Sequence, residues 1–319
     1  MEVLIDNLNG TVWDMPVLSI EWKTERIGKV GTLDATLIVS EPLKHPIDNG
    51  NIIRVTDGKD NIFYGFVFEA GFTKEDDVKI KAYDQLKYLM YNDTFVFPAT
   101  TATAAIKKIA TDAQLKIGTF EETGYKVPAL IEDDKKALDV AVKFLDSTLI
   151  ATNRNFVLYD DFGSLALKNI NNMKIAADDF YIGEESLLFD FDYKKSIDKE
   201  TYNRVKLVHD NKETKKREVY IVQDSANISK WGRLQEFKKV DENMTPAQIK
   251  DLADKIIKLR NRETKTFSLE CLGHWKVRGG SFVMVYIEKF GIKEYFLVDD
   301  CAHSWDSGIH TMSVELRVI

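Results

Sequence analysis

KIKAYDQLKYL, residues 79–89, changes its period part-way along. Val78, Ile80 and Ala82 alternate with Lys79 and Lys81, the two-residue period of a strand with one wet face. From Tyr83 the spacing lengthens, and Leu86 and Leu89 stand three apart, as on one face of a helical turn. A β-rich unit ends here. Asp84 is placed to cap the turn that follows, with Leu86 and Leu89 as packing anchors. Catalysis by Tyr83 and Asp84 would need a base, a metal or an oxyanion donor close by, and the neighbouring sequence indicates none.

Upstream, Leu18, Ile20 and Trp22, then Leu33, Ala35, Leu37 and Val39, keep the two-residue period. Ile52–Val55 and the aromatic run from Ile62 to Phe68 follow, with Asp57-Gly58 marking a turn between them. Downstream of Pro98 the character changes. TATAAIKKIATDAQL puts Ala102, Ala105, Ile106, Ile109 and Ala113 on one helical face, behind threonines that can cap it. A second helix is expected at about 134–149, with Leu138, Ala141, Val142, Leu145 and Leu149 as its stripe. FVLYDDFGSLALKNI, from Phe156, reads as a hairpin with Asp161-Phe162-Gly163 in its turn.

Strands return at Arg204–Val208 and Val219–Val222, around the polar stretch DNKETKKRE. Its four basic residues read as a solvated hairpin tip rather than a binding patch. Thr245-Pro246-Ala247-Gln248 is a helix start: a capping threonine, proline at the first helical position and glutamine three residues after the cap. Ile249, Leu252, Ala253, Ile256 and Ile257 give that helix a buried face. The chain closes with strands at Phe267–Cys271, Phe282–Ile287, Tyr295–Val298 and Met312–Val318.

Residues 33–82 and 267–318 share one order: alternating strand, connection, apolar strand, short turn, a third strand, longer loop, alternating strand. Their identity is negligible, so order and spacing carry the reading of two similar β-barrels or sandwiches in one chain. The fold class expected is mainly β with an α+β insert. Residues 1–98 would form a first barrel, 99–185 a small mixed domain, and 186–319 a second barrel with an inserted helix at about 246–261. DFYIGEESLLFDFDYKKS, residues 179–196, belongs either to the insert or to the link into the second barrel.

Composition narrows the function. The 319 residues exceed most single cores, and no apolar run approaches the roughly 18 to 20 residues of a membrane span. MEVLIDNLNG lacks the basic and apolar regions of a secretory signal, so cytoplasmic synthesis is expected. Two cysteines argue against a disulfide framework, and a net charge of −7 disfavours a surface that grips phosphate backbones. Cys271, His274, Cys301 and His303 could in principle make a zinc shell, but Cys271 continues an alternating strand and Cys301 reads as a small buried hydrophobe. Asp178-Asp179 and Glu184-Glu185 are pairs that a glycosidase would have to face across a cleft. Trp231, Trp275 and Trp305 are the aromatic candidates for glycan contact. His45, His209, His274, His303 and His310 are scattered, and no nucleophile elbow, zincin or Walker motif occurs. Neither catalytic, cofactor nor metal residues are assigned.

Four stretches in sequence carry a resemblance: AYDQLKYL, FGSLALKNI, ISKWGRLQ and FSLECLG. Together they resemble the tail hub proteins of PBSX-type defective prophages, related myophages and phage-tail-like bacteriocins, over essentially the whole chain. The resemblance implies two tail-tube-like barrels per chain and a homotrimer whose six barrels join a sixfold tail tube to a threefold spike. It also implies assembly in the bacterial cytoplasm into a tail baseplate, with tube, spike and other baseplate proteins as partners, no enzyme activity and no membrane insertion. Such a trimer would bury on the order of 2,000 Å² or more per interface. Its summed negative charge would give a lumen along which DNA slides. A wall hydrolase and a glycan- or receptor-binding module are the alternatives.

Overall fold

The structure is a computed structural model that describes residues 1–39, 47–72, 77–183, 188–198, 200–211, 215–240, 242 and 244–317. His45, Glu184 and Glu185 lie outside the described residues.

One large sheet runs through both ends of the chain, and its pairings repeat. Val17–Glu25 pairs with Thr32–Ile38, which pairs with Asp77–Tyr83, which pairs with Asp60–Phe72, which pairs with Ile52–Asp57, every pair antiparallel. The same order recurs at the other end. Leu188–Ser196 pairs with Thr264–Leu272, then Ile309–Arg317, then Ile292–Asp306, then Phe282–Ile287. The four-strand order read from the sequence is present in both blocks, and each has an additional strand in front. The ends differ: Glu2–Asp6 adds antiparallel to the first block, whereas Tyr181–Gly183 adds parallel to the second. Within residues 179–196, Tyr181–Gly183 and Leu188–Ser196 therefore both pair with strands of the second block. The blocks meet where Val17–Glu25 lies antiparallel to the second half of Ile292–Asp306, so the recorded pairings form one path with ends rather than two closed rings.

Alternation explains the burial. In Val17–Glu25, Ile20, Trp22 and Thr24 are buried between exposed or half-buried neighbours, and in Ile309–Arg317, Met312, Val314 and Leu316 are the same. The first block encloses Val3, Leu33, Ile53 and Ile80; the second encloses Phe267, Val283, Phe296 and Val314.

The insert has its own core around helices α1 (Ala102–Asp112) and α2 (Ala137–Thr152). Thr101 caps α1 through the backbone N–H of Ala104. The core reaches back to Leu86, Leu89, Phe95 and Phe97, because Asn92–Phe97 pairs with Leu130–Lys136. That pairing holds 130–136 extended and moves the start of α2 to Ala137, three residues later than the periodicity suggests. Phe156–Asp160 and Leu165–Asn169 form the expected hairpin.

Between Leu188–Ser196 and Thr264–Leu272 the expected inserted helix does not stand alone. Arg204–Asn211, Lys216–Gln223 and Gln235–Lys239 form a separate three-stranded sheet, with α3 (Ser225–Trp231) beside it. Helix α4 (Pro246–Arg260) packs Ile249, Ala253 and Ile256 onto Val205 and Leu207. This unit occupies the position of the short link from Glu25 to Thr32 in the first block. The basic hairpin stretch is partly neutralised, since Asp210 pairs with Arg217 at 2.7 Å and with Lys239 at 2.8 Å. The capping box of α4 forms as read, with Thr245 and Gln248 each accepting from the other's backbone. Thr245→Ala is expected to cost α4 about 1 kcal/mol. Hydrogen exchange should show faster exchange confined to its first turn.

Candidate functional site

The polar groups of Asp84 and Gln85, with Arg278, hold three bodies together. Asp84 accepts from the N–H of Leu86 at 2.9 Å, capping the turn, and from the N–H of Gly31 at 2.9 Å, in the link between two first-block strands. Gly31 has no room for a Cβ, which would collide with the Asp84 carboxylate. Gln85 donates to Asp160 at 2.6 Å and accepts from the N–H of Lys116 at 3.1 Å, both in the insert. Arg278 of the second block donates to the Asp160 carbonyl at 3.1 Å and lies over the Tyr159 ring. Burial, then the nearby Asp160 carboxylate, pushes the Asp84 pKa up to about 8; burial also raises that of Asp160. Asp84 and Gln85 thus act as a structural clasp, while Tyr83 packs its ring edge-on against Phe68. Asp84→Ala removes the cap and leaves the buried Gly31 N–H unpaired, at a cost of about 2–4 kcal/mol. Thermal unfolding of the variant is the check.

The seam between the blocks is polar and aromatic. Gly279 donates to Thr24 Oγ1 at 3.0 Å, and Arg26 meets Asp299 through its backbone N–H at 2.8 Å and its Nε at 2.6 Å. His303, fully buried, stacks on Trp22 with ring centroids 5.0 Å apart. Its Nε2 is 2.8 Å from the Val277 carbonyl and its Nδ1 is 3.0 Å from His310 Nε2. With Nε2–H donating to the carbonyl, His303 is neutral and accepts from His310. His310 in turn stacks on Trp275, whose Nε1–H donates to Asp57 at 3.1 Å. Burial holds the His303 pKa down to about 3 and that of His310 to about 4.

The zinc candidates are dispersed over these roles. Cys271 is in the second core, His274 stacks on Phe180, and His303 spends Nε2 on a carbonyl, although Cys301 lies 3.2 Å from that nitrogen. Among the described residues no group of three or more His, Cys, Asp or Glu is arranged to hold a metal ion. Both cysteines are buried and free. Asp178 and Asp179 are exposed in a turn before Tyr181. Trp231, Trp275 and Trp305 are all partly buried; the more exposed aromatics are Phe237, Phe72, Tyr181 and Tyr88. No helix among the described residues is long and apolar enough to cross a membrane.

A family model described as YQBQ-like matches residues 20–317. The chain belongs to the YQBQ-like family. Its relatives include the phage-like element PBSX protein XkdQ of Bacillus subtilis, 26% identical over 97% of this chain and 95% of that one. The uncharacterized protein YqbQ of the same organism is 28% identical over 80% and 77%. The YQBQ-like chain shares its fold with the 43 kDa tail protein of prophage MuSo2 from Shewanella oneidensis, at a TM-score of 0.69 and 14% identity, over 99% and 98% of the two chains. The resemblance to PBSX-type tail proteins carried by four stretches of sequence is thereby met.

Proposed function

We propose that this YQBQ-like chain is a structural hub of a contractile-tail baseplate, a trimeric adaptor between a sixfold tube and a threefold spike. The observation that carries the reading is the five-strand order that occurs twice in one chain. Two similar units in each of three chains present six positions to the tube, while the chains themselves keep threefold symmetry for the spike. On this reading residues 1–98 and 186–319 supply the two tube-like β units around the two β cores, and 99–185 is the insert between them, with Tyr181–Gly183 reaching over to pair with the second unit. The name of XkdQ and the fold shared with a prophage tail protein support a place in a tail.

The chain works by assembly and not by turnover. It starts tube polymerisation, holds the spike and opens a lumen when the sheath contracts. It is made in the bacterial cytoplasm and built into a virion or a tail-like particle. A net charge of −7 per chain makes the ring acidic, which lets DNA slide and keeps nucleic acid from being held. The test is nucleation. Purified tube protein from the same element should polymerise with a shortened lag when the hub and spike are added. A lag unchanged by the hub contradicts the initiating role.

A further inference from the structure

Helix α2 carries two apolar stripes. Leu138, Ala141 and Phe144 are buried in the core of the insert. Val142, Leu145 and Leu149 stay partly exposed along a cavity of about 510 Å³, whose apolar lining also includes Phe156 and Ile170 of the insert and Phe282 and Leu297 of the second block. Leu145 also touches the core of the insert, whereas Val142 and Leu149 belong to none of the hydrophobic cores, so the chain's own packing covers this stripe only in part.

The facing wall is cationic, with Arg26, Arg260, Arg262 and Arg317. Three of these guanidiniums are matched. Asp299 lies 2.6 Å from Arg26 and 2.6 Å from Arg317; Glu200 lies 2.8 Å from Arg317 and 2.9 Å from Arg260, which also has Asp146 at 3.6 Å. Glu263 lines the cavity too, and its recorded ion pair is with Lys230, at 4.0 Å. Arg262 makes no ion pair among the described residues. Burial, then Arg317 and Arg260 beside it, lowers its pKa. Four guanidiniums and Lys230 therefore share four carboxylates, Asp146, Glu200, Glu263 and Asp299, and Arg262 is the cavity guanidinium left without an ion pair among the described residues.

We infer that this cavity binds a single carboxylate borne on an apolar chain, with the carboxylate on Arg262 and the chain along Val142, Leu145 and Leu149. A planar guanidinium takes a carboxylate through two parallel hydrogen bonds, and the volume is that of a small-ligand cleft. The carboxylate can come from a free fatty acid or from the end of an apolar peptide. The inference stands on the single chain and is independent of its oligomeric state.

Calorimetric titration of the full chain with decanoate, with trileucine and with trileucine amide tests it. At least one of the two carboxylates should bind, the amide should not, and Arg262→Gln should weaken binding by about tenfold or more. Arg262 is only partly covered and makes no ion pair among the described residues, so this variant is expected to keep the fold; an unchanged unfolding midpoint verifies that. Tighter binding of decanoate identifies a lipid-type source, and tighter binding of trileucine a peptide end. Failure of both carboxylates to bind at millimolar concentration, equal binding of the amide, or undiminished affinity in Arg262→Gln overturns the inference.

Discussion

Gly279→Ala is expected to disrupt the seam between the two β blocks through a clash with main-chain atoms. A Cβ at this position would stand 2.5 Å from the carbonyl carbon of Glu25 and 2.6 Å from the backbone nitrogen of Arg26. Both are main-chain atoms of the first block, so no side chain can swing away to relieve the contact. The blocks must move apart, and that stretches the Gly279–Thr24 and Arg26–Asp299 hydrogen bonds together. Overpacking against backbone with loss of buried hydrogen bonds is worth about 3 kcal/mol or more. The variant should unfold at a clearly lower temperature. Gly71→Ala is the control, since a Cβ there meets only the Lys79 carbonyl oxygen at 3.8 Å; its midpoint should change little. Equal midpoints for the two variants would contradict the close approach at the seam.

Acid should loosen the same seam through His303. In the folded chain burial keeps this imidazole neutral down to about pH 3, while an unfolded histidine takes up its proton near 6.5. Between those values the unfolded state binds more protons, so the stability is fully present above about pH 6.5 and is lost as pH falls through that window. At about 1.4 kcal/mol per pH unit, acidification to pH 4 costs about 3 kcal/mol from this residue alone. His310 acts in the same direction. Asp84 acts in the opposite one: its raised pKa means that its burial costs most at about pH 8 and progressively less on acidification towards 3.8. The comparison with His303→Gln isolates the imidazole, since the amide can still donate to the Val277 carbonyl but does not titrate. The variant should show a shallower loss of stability between pH 6.5 and 4. An identical slope in both proteins would remove His303 as the cause.

Local chemistry was legible wherever the deciding residues are neighbours in sequence. The capping box at Thr245 and Gln248, the cap at Asp84 and the hairpin around Asp161-Phe162-Gly163 each lie within a few residues, and each forms as read. The four-strand repeat was legible because order and spacing survive without identity. What alternation does not reveal is sheet membership. Val205 and Leu207 alternate just as Leu269 and Cys271 do, yet the first pair packs under α4 in a separate sheet and the second in the large one. The seam was invisible for a related reason. Trp275 and Asp57 are 218 residues apart, and His303 and His310 face each other only after their hairpin has closed. The stripe of α2 mixed two faces, because Val142 and Leu145 are as apolar as Leu138 and only packing tells them apart.

The central claim is that three copies of a chain with two similar β units make a sixfold-to-threefold adaptor. Light scattering on the purified chain across a range of concentrations, with purified spike added in a second series, tests this most directly. The account predicts a particle of three times 36.5 kDa, alone or once the spike is present. A particle that remains a monomer or settles as a dimer in both series would contradict it.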